Sequence, residues 1–514
     1  MEYGQKATGL DQNSPEDAEK GQCADGAPVV PPSGLSRYPS SPPNREAYRV
    51  HFESESDPDH PQNWLLSTKL GISSILVLNT LAATFSSAVF SPAQSYIGEE
   101  FGKGTQVLTL GTSLFVVGYA LGPIVFAPLS ELYGRRPPVI VAAVAFGIFN
   151  IGSAVAKDYQ TLMICRFFAG VFGSCPVTVV AAVFADIFSH KWRGLAILMF
   201  SASTICGPLT GPLIGGFIAK SHLGWRWTSY LPAIVGFVAA FLSMLFQKES
   251  YPPVVLVEKA RKLRRLTGNW CIHAEQELIE VNIKSLATQY ISRPLRILFT
   301  EPIVFLITLY TSFLYGLLYL SLAAYALIFG RVHGFSPGID GLPYLAMILG
   351  VFLSAFFSIY TNKFYVKKLE ANNNVPVPEW RLPIVIFSGP IVAGGLFWLG
   401  WGGYNPRTHW IVPTIAGLPL GFGVFSIFLP CLNYIIDAYL LYAASAIAAN
   451  TVLRSISGAV FPHIALYLFD GIGIHWGMTV LGSIAVLFVP VPLVFYYKGK
   501  QIRARSKFPL VSNL

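Results

Sequence analysis

Very few side chains in the apolar stretches of this sequence can carry a charge or a proton, and those few stand in suggestive places. Arg166 opens "RFFAGVFGS" (166–174), Arg454 sits in "NTVLRSISG" (450–458) and His463 in "FPHIA" (461–465). At the margins of such stretches, "ELYGRRP" (131–137) sets Glu131 beside Arg135 and Arg136 around Gly134, while Asp186, Arg193 and Asp437 stand near the ends of others. A glycine allows a tight turn, and a charge latch held between water and low dielectric is stronger than one in bulk solvent. These types suit pairing that forms and releases, and a histidine titrating near neutrality. They do not suit bond-breaking chemistry: no zincin helix, phosphate loop or nucleophile elbow stands in a suitable context, so neither an enzyme, a metal site nor a cofactor is expected.

The elements that must hold these residues are set by composition. With 53% hydrophobic and 12% charged residues over 514 positions, the chain has more apolar surface than one water-soluble core could hide. Runs of nearly uncharged residues, each long enough to cross roughly 30 Å of hydrocarbon, recur twelve times: 68–90, 107–130, 138–156, 160–183, 195–218, 227–246, 302–325, 342–361, 383–401, 411–434, 444–468 and 477–496. The fold class expected is an all-α membrane protein of twelve transmembrane helices in two six-helix pseudo-repeat bundles, since the longest break divides the spans six and six. The organisation predicted is a disordered cytoplasmic tail (1–60), a first bundle (61–246), a central cytoplasmic loop (247–300), a second bundle (301–496) and a C-terminal tail (497–514).

Cations orient the chain. With the N-terminus inside, the inside segments after span one hold 22 Lys and Arg, and the outside loops hold six. That asymmetry places both termini in the cytoplasm. It also accounts for the net charge of +9, so no nucleic-acid partner is expected. Cys165, Cys175, Cys206 and Cys431 lie in spans and Cys23 and Cys271 in cytoplasmic segments, so no disulfide is expected. The basic residues of "EKARKLRRLTGN" (258–269) recur at helical intervals, which suits a solvated helix touching anionic headgroups or, alternatively, a regulatory site.

Span five carries "GPLTGPLIGG" (207–216). In water each proline in a helix costs about 3 kcal/mol and each glycine about 1. In lipid, Gly207, Gly211 and Gly215 form one smooth stripe on which a neighbour can approach closely, with Gly216 beside it and Pro208 and Pro212 on the adjacent stripe. Proline frees backbone groups that neighbours or cavity water can satisfy. Arg166 must face the bundle interior, because a guanidinium in a span costs on the order of 2.5–3.5 kcal/mol even on lenient scales. No Asp or Glu lies near the middle of any span.

"GPIVFAPLSELYGRRP" (122–137), "RFFAGVFGS" and "GPLTGPLIGG" resemble three signatures of the major facilitator superfamily. "DPDHPQNW" (57–64), "GWRWTSYL" (224–231), "ESYPPVVLVEKARKLR" (249–264), "RPLRILFTEPI" (293–303), "YIIDAYLLYAASAIAANTVLRS" (434–455) and "SKF" (506–508) narrow the resemblance to its fungal twelve-span drug:proton antiporters, which expel toxic compounds and secondary metabolites. The resemblance implies that the 131–136 loop, extended by Asp186 and Arg193, stabilises an outward-open state, that Arg166 takes part in proton coupling, and that the span-five motif belongs to antiport. Members often carry Glu and Pro in span seven where this chain has Ala323 and Ala326, which leaves Asp437, Glu131, Asp186 and His463 as proton-handling candidates. In this fold spans one, four, seven and ten surround the route. That places Tyr310, Tyr315, Tyr319, Phe425, Phe428 and Asn433 as candidate cavity residues, joined by Arg454 and His463. Aromatics with a few polar tips suit a planar amphipathic guest. The function implied is a proton-driven exporter of hydrophobic or amphipathic small molecules, monomeric, in the plasma membrane or an internal one; the alternatives are an importer or facilitator of an organic acid, polyamine or similar nutrient, and a non-transporting sensor.

Overall fold

A computed structural model describes residues 48–54, 56–278, 288, 292–372, 377–439 and 443–504. Their contacts form two units. The larger begins at Leu66 and consists of long apolar helices, here numbered by span: α1 (Leu66–Ala88), α2 (Thr105–Leu132), α3 (Arg136–Ala154), α4 (Tyr159–Ile187), α5 (His190–Lys220), α6 (Trp227–Phe246), α7 (Pro302–Tyr325), α8 (Tyr344–Ala371), α9 (Leu382–Gly403) and α10 (Ile411–Ala438). A last apolar stretch runs on to Arg503 but is broken at Gly473, whose φ of 78° and ψ of 166° no right-handed helix contains. It therefore holds two spans, α11 (443–472) and α12 (474–503), and the described residues contain the twelve spans that hydropathy predicts. Helix continues to Arg503, so 497–503 extend α12 instead of opening a tail.

The pairing of these helices repeats. In the first half α1 packs on α5, α2 on α4, and α3 on both α4 and α6; six spans later α7 packs on α11, α8 on α10, and α9 on both α10 and α12. Two further seams join the halves, α2 against α11 and α5 against α8, which the same shift of six spans exchanges. Glycines permit the closest approaches: a Cβ at Gly170 would lie 1.9 Å from the Phe115 carbonyl oxygen, and one at Gly421 would lie 2.0 Å from that of Met347. Outward faces are apolar instead of polar, with Phe356 and Leu487 each 74% exposed, as lipid-facing surfaces require.

The smaller unit joins the described residues up to Leu65 to the segment from Glu249 to 278. This corrects the expectation for 48–60, which are built into structure. Val50 donates its amide to the His273 carbonyl (2.9 Å), and Val50, Ala260 and Ala274 share a small core. Asp57 is the clamp. Its carboxylate accepts from the Glu53 amide (3.0 Å), the Asp59 amide (2.9 Å) and Lys259 Nζ (3.1 Å), and its carbonyl accepts from Asn63 (2.9 Å). The helix Pro252–Thr267 thus turns Lys259 and Arg264 inward, Arg264 forking onto Glu277 at 2.7 and 3.0 Å, and leaves Arg261, Lys262 and Arg265 exposed. Only part of its basic face is therefore available to solvent or headgroups. Cys165, Cys175, Cys206 and Cys431 are free.

The backbone amides of Asp59 and Glu53, together with Lys259, hold the Asp57 carboxyl down at about 2. A depressed acid contributes stability that is complete above its ordinary value near 3.9 and disappears as pH falls through the folded value. We expect the 48–65 segment to stay docked at pH 5 and to loosen between about 4 and 2. Asp57→Asn should loosen it severalfold at pH 7. Hydrogen exchange of the 49–50 and 272–274 amides reads both effects, and unchanged protection in Asp57→Asn would contradict them.

Candidate functional site

Charged residues gather at one end of the spans, where Gly134 (φ 94°) makes the turn between α2 and α3. Arg135 donates from Nε to Asp186 Oδ2 at the end of α4 (3.3 Å) and from a terminal nitrogen to Ser130 Oγ (2.9 Å), while Arg136 donates to the Met244 carbonyl of α6 (2.7 Å). Six spans later the pattern recurs. Arg381, just before α9, donates to Asp437 Oδ2 at the end of α10 (3.0 Å), and Tyr365 donates to the same oxygen (3.2 Å) with its ring under the guanidinium at 3.8 Å. Arg193, at the start of α5, feels both Asp186 and Asp437. A cation of the first half therefore interacts with acids of both halves, and next to it Gly194 of α5 faces Asn362 of α8. Glu131 lies at this loop, partly buried. Glu301 and Glu379 belong to the same end: Tyr439 donates to Glu301 (2.9 Å), and Arg503 pairs with Glu379.

At the opposite end a cavity of about 150 Å³ lies between the halves, lined among others by Gln94, Thr109, Thr112, Ala323, Leu327 and Pro462. Ala323 and Ala326, the positions where the resemblance implies Glu and Pro, both line it. Two contacts floor this vestibule. Ser113 of α2 donates to the Ala459 carbonyl of α11 (2.6 Å) and lies 3.0 Å from His463 Nε2, and the hydroxyls of Ser87 (α1) and Tyr319 (α7) share a hydrogen bond of 2.7 Å. On the other seam the span-five motif is divided between two partners. Cβ atoms at Gly207, Gly211 and Gly215 would strike Thr84, Val89 and Pro92 of the α1 region, as the predicted stripe requires, whereas one at Gly216 would strike Gly338, and one at Gly341 would strike the Pro212 carbonyl. The α7–α8 loop thus rests on the Pro212 and Gly216 side of α5. Asp340 of that loop accepts from the Gly338 amide (2.8 Å), an inter-half acid that no sequence motif marks.

Gly211 offers a clean test of the stripe. A Cβ there would sit 2.7 Å from the Val89 nitrogen, a backbone atom that cannot rotate away. Gly211→Ala is expected to destabilise the solubilised protein by about 1–3 kcal/mol, as overpacking does. Gly71→Ala, with open space around it, should be neutral. Equal melting temperatures for the two would refute the close approach.

Both interior arginines are buried, but they are held differently. Arg166 is fully buried; its Nε donates to the Gly111 carbonyl (3.2 Å) and a terminal nitrogen to the Ser86 carbonyl (2.9 Å), with the Phe90 and Phe115 rings each 4.8 Å away. It bolts α4 to α1 and α2 through carbonyls. Arg454 lies between the rings of Tyr315 and Phe428, each 4.9 Å away, and Tyr119 of α2 and Tyr315 of α7 belong to the same group across the seam. The structure therefore brings Tyr315, Tyr319 and Arg454 together at mid-span and puts His463 at the vestibule floor. Tyr310 instead stacks on Phe488 of α12 (5.1 Å), Phe425 is fully buried, and Asn433 is partly buried toward the charged end. Ser87, Ser113, Tyr119, Tyr365 and Arg381 escape sequence reasoning, since each is an ordinary residue until its partner is known.

A family model described as Major Facilitator Superfamily matches residues 76–462, three quarters of the chain. The chain belongs to the major facilitator superfamily. Within that superfamily it is 44% identical over 486 residues to the "Major facilitator superfamily multidrug transporter FLU1" of Candida albicans, covering 94% of this chain and 80% of that protein. It is 43% identical over 480 residues to the "Multidrug transporter TPO1_2" of Candida glabrata, covering 93% and 83%. Among solved structures, the proton:xylose symporter XylE of E. coli superposes with a TM-score of 0.61 at 17% identity, over 84% of this chain and 96% of that one. That likeness establishes the superfamily fold of two six-helix bundles, and the chain is a multi-pass membrane protein.

Proposed function

We propose that this protein exports hydrophobic or amphipathic small molecules from the cytoplasm by alternating access, in exchange for protons, as a plasma-membrane monomer with both termini cytoplasmic. The observation that carries the reading is the paired construction of the inter-half contacts: Arg193 of the first half acting on Asp437 of the second at the charged end, and hydroxyl contacts under a vestibule at the other. Each set can release while the other holds, so a buried centre meets one side at a time. The multidrug names of the fungal relatives support export of varied cargo. Positive-inside cations support a cytoplasmic position for the ion-paired end. No enzymatic role is proposed.

Protons need a group that changes charge as the seams switch. Asp186 and Asp437 are the candidates: each keeps its own cation within its half, Arg135 and Arg381, and Asp437 also feels Arg193 of the first half, an attraction that weakens if the charged end parts. His463 can report acid at the vestibule floor, and Arg166 keeps a fixed positive charge near Tyr319 at the centre. Inside-out vesicles carrying the protein, given a pH gradient and a hydrophobic fluorescent dye, test the whole reading. Export with proton exchange predicts gradient-dependent dye uptake into the vesicles. Dye movement indifferent to the gradient removes the exchange, and cargo driven only the other way supports import.

A further inference from the structure

We infer that Arg454 is a docking point for an acidic group on the cargo, so that the protein favours aromatic molecules bearing a carboxylate over their neutral or cationic counterparts. This deepens the exporter reading and rests on it.

The contrast between the two interior arginines carries the inference. Both are removed from solvent, Arg454 being 3% exposed and Arg166 0%. Arg166 donates to two carbonyls and approaches the Ser86 hydroxyl at 3.5 Å. Among the described residues no carboxylate, carbonyl or hydroxyl accepts a hydrogen bond from Arg454, and its Nε is buried without an acceptor. Buried guanidinium groups are otherwise paired, because each donor left empty forfeits its hydration. The buried carboxylates among the described residues are Asp57, Glu301 and Glu379, none of them at mid-span.

What surrounds the cation describes the missing partner. Tyr119 of α2 has a fully buried hydroxyl without a hydrogen-bond partner, in the same group as Tyr315 and Arg454. A carboxylate there can accept from the guanidinium on α11 and from the phenol on α2, so it would join the two halves. The rings of Tyr315 and Phe428 flank the site, and Tyr319 adjoins Tyr315 with centroids 5.2 Å apart, which suits an aromatic body. Arg166 also acts on Tyr319, so among the described residues the centre holds two cations and no buried acid. Access is short. Thr112 and Pro462 line the vestibule, about two helical turns along α2 and α11 from Tyr119 and Arg454.

The test compares transport of 2-naphthylacetate, neutral 2-naphthylacetamide and cationic 2-(2-naphthyl)ethylammonium by the full-length protein in proteoliposomes. The wild type should prefer the carboxylate to the amide by about tenfold in concentration at half-maximal flux, as charge-assisted bidentate pairing suggests. Arg454→Gln should bring that ratio near one, Arg454→Lys should keep part of it, and Tyr119→Phe should lower it about threefold. A wild type that carries the amide or the amine but not the carboxylate overturns the inference and leaves the exporter reading standing. A wild type that carries none of the three removes both. If Arg454→Gln fails to fold, the Tyr119→Phe ratio and the wild-type preference still decide: an unchanged ratio in the first, or no preference in the second, refutes the docking point.

Discussion

Arg166→Ala is expected to reduce gradient-driven flux at least tenfold while the protein still inserts. The guanidinium donates to the Gly111 and Ser86 carbonyls from within α4, and both acceptors are fixed to helices that flank the route. Removing it takes the donor from the Ser86 carbonyl in the last turn of α1, at about 1–3 kcal/mol, weakens the hold on the Gly111 carbonyl, and opens space between Phe90 and Phe115. Arg166→Lys separates charge from geometry. Lysine keeps the positive charge near Tyr319 but not the planar fork, so it should recover only part of the flux. Full recovery would mean that charge alone matters, and undiminished flux in Arg166→Ala would end any role for this residue in transport.

The second large effect concerns the charged end. Asp437→Asn removes the second-half acid that Arg193 of the first half feels and should favour the state opened at that end, whereas Asp186→Asn removes an acid of Arg193's own half and should not. The Arg135–Asp186 and Arg381–Asp437 pairs each lie within one half, so what crosses the seam is the attraction of Arg193 for Asp437, assigned about 1–2 kcal/mol, above the usual surface value. That corresponds to a shift of roughly five- to thirtyfold in the conformational equilibrium. Because Arg193 feels both acids, the double variant should depart from the product of the single effects. Maleimide labelling of Asn362→Cys, which faces Gly194 across the α5–α8 seam, measures the opening. The expected result is faster labelling in Asp437→Asn and not in Asp186→Asn. Labelling of Asp437→Asn at the wild-type rate would show that the attraction of Arg193 for Asp437 holds nothing closed.

The two latches show why the site was only half legible. The resemblance put Asp186 and Arg193 with the 131–136 loop, and the Arg135–Asp186 pair lies there. In the second half Arg381 provides the cation, and Tyr365 of "NKFYVKK" (362–368) provides its ring and hydroxyl. A repeat conserved as geometry need not persist as letters, because either side of α9 can deliver a positive charge to the end of α10.

Hydropathy and charge are properties of single residues summed over a window, and they sufficed for the membrane solvent, the twelve spans, the cationic face and the glycine stripe on α5. Each follows from transfer free energy or helical spacing, with no partner needing to be known. The partners themselves belong to the tertiary structure: α1 against that stripe, carbonyls on Arg166, aromatic rings without an acceptor on Arg454, and Asp57 tying an expected tail to Lys259. Contacts between residues hundreds of positions apart depend on how the helices pack, and packing is a property of the whole chain.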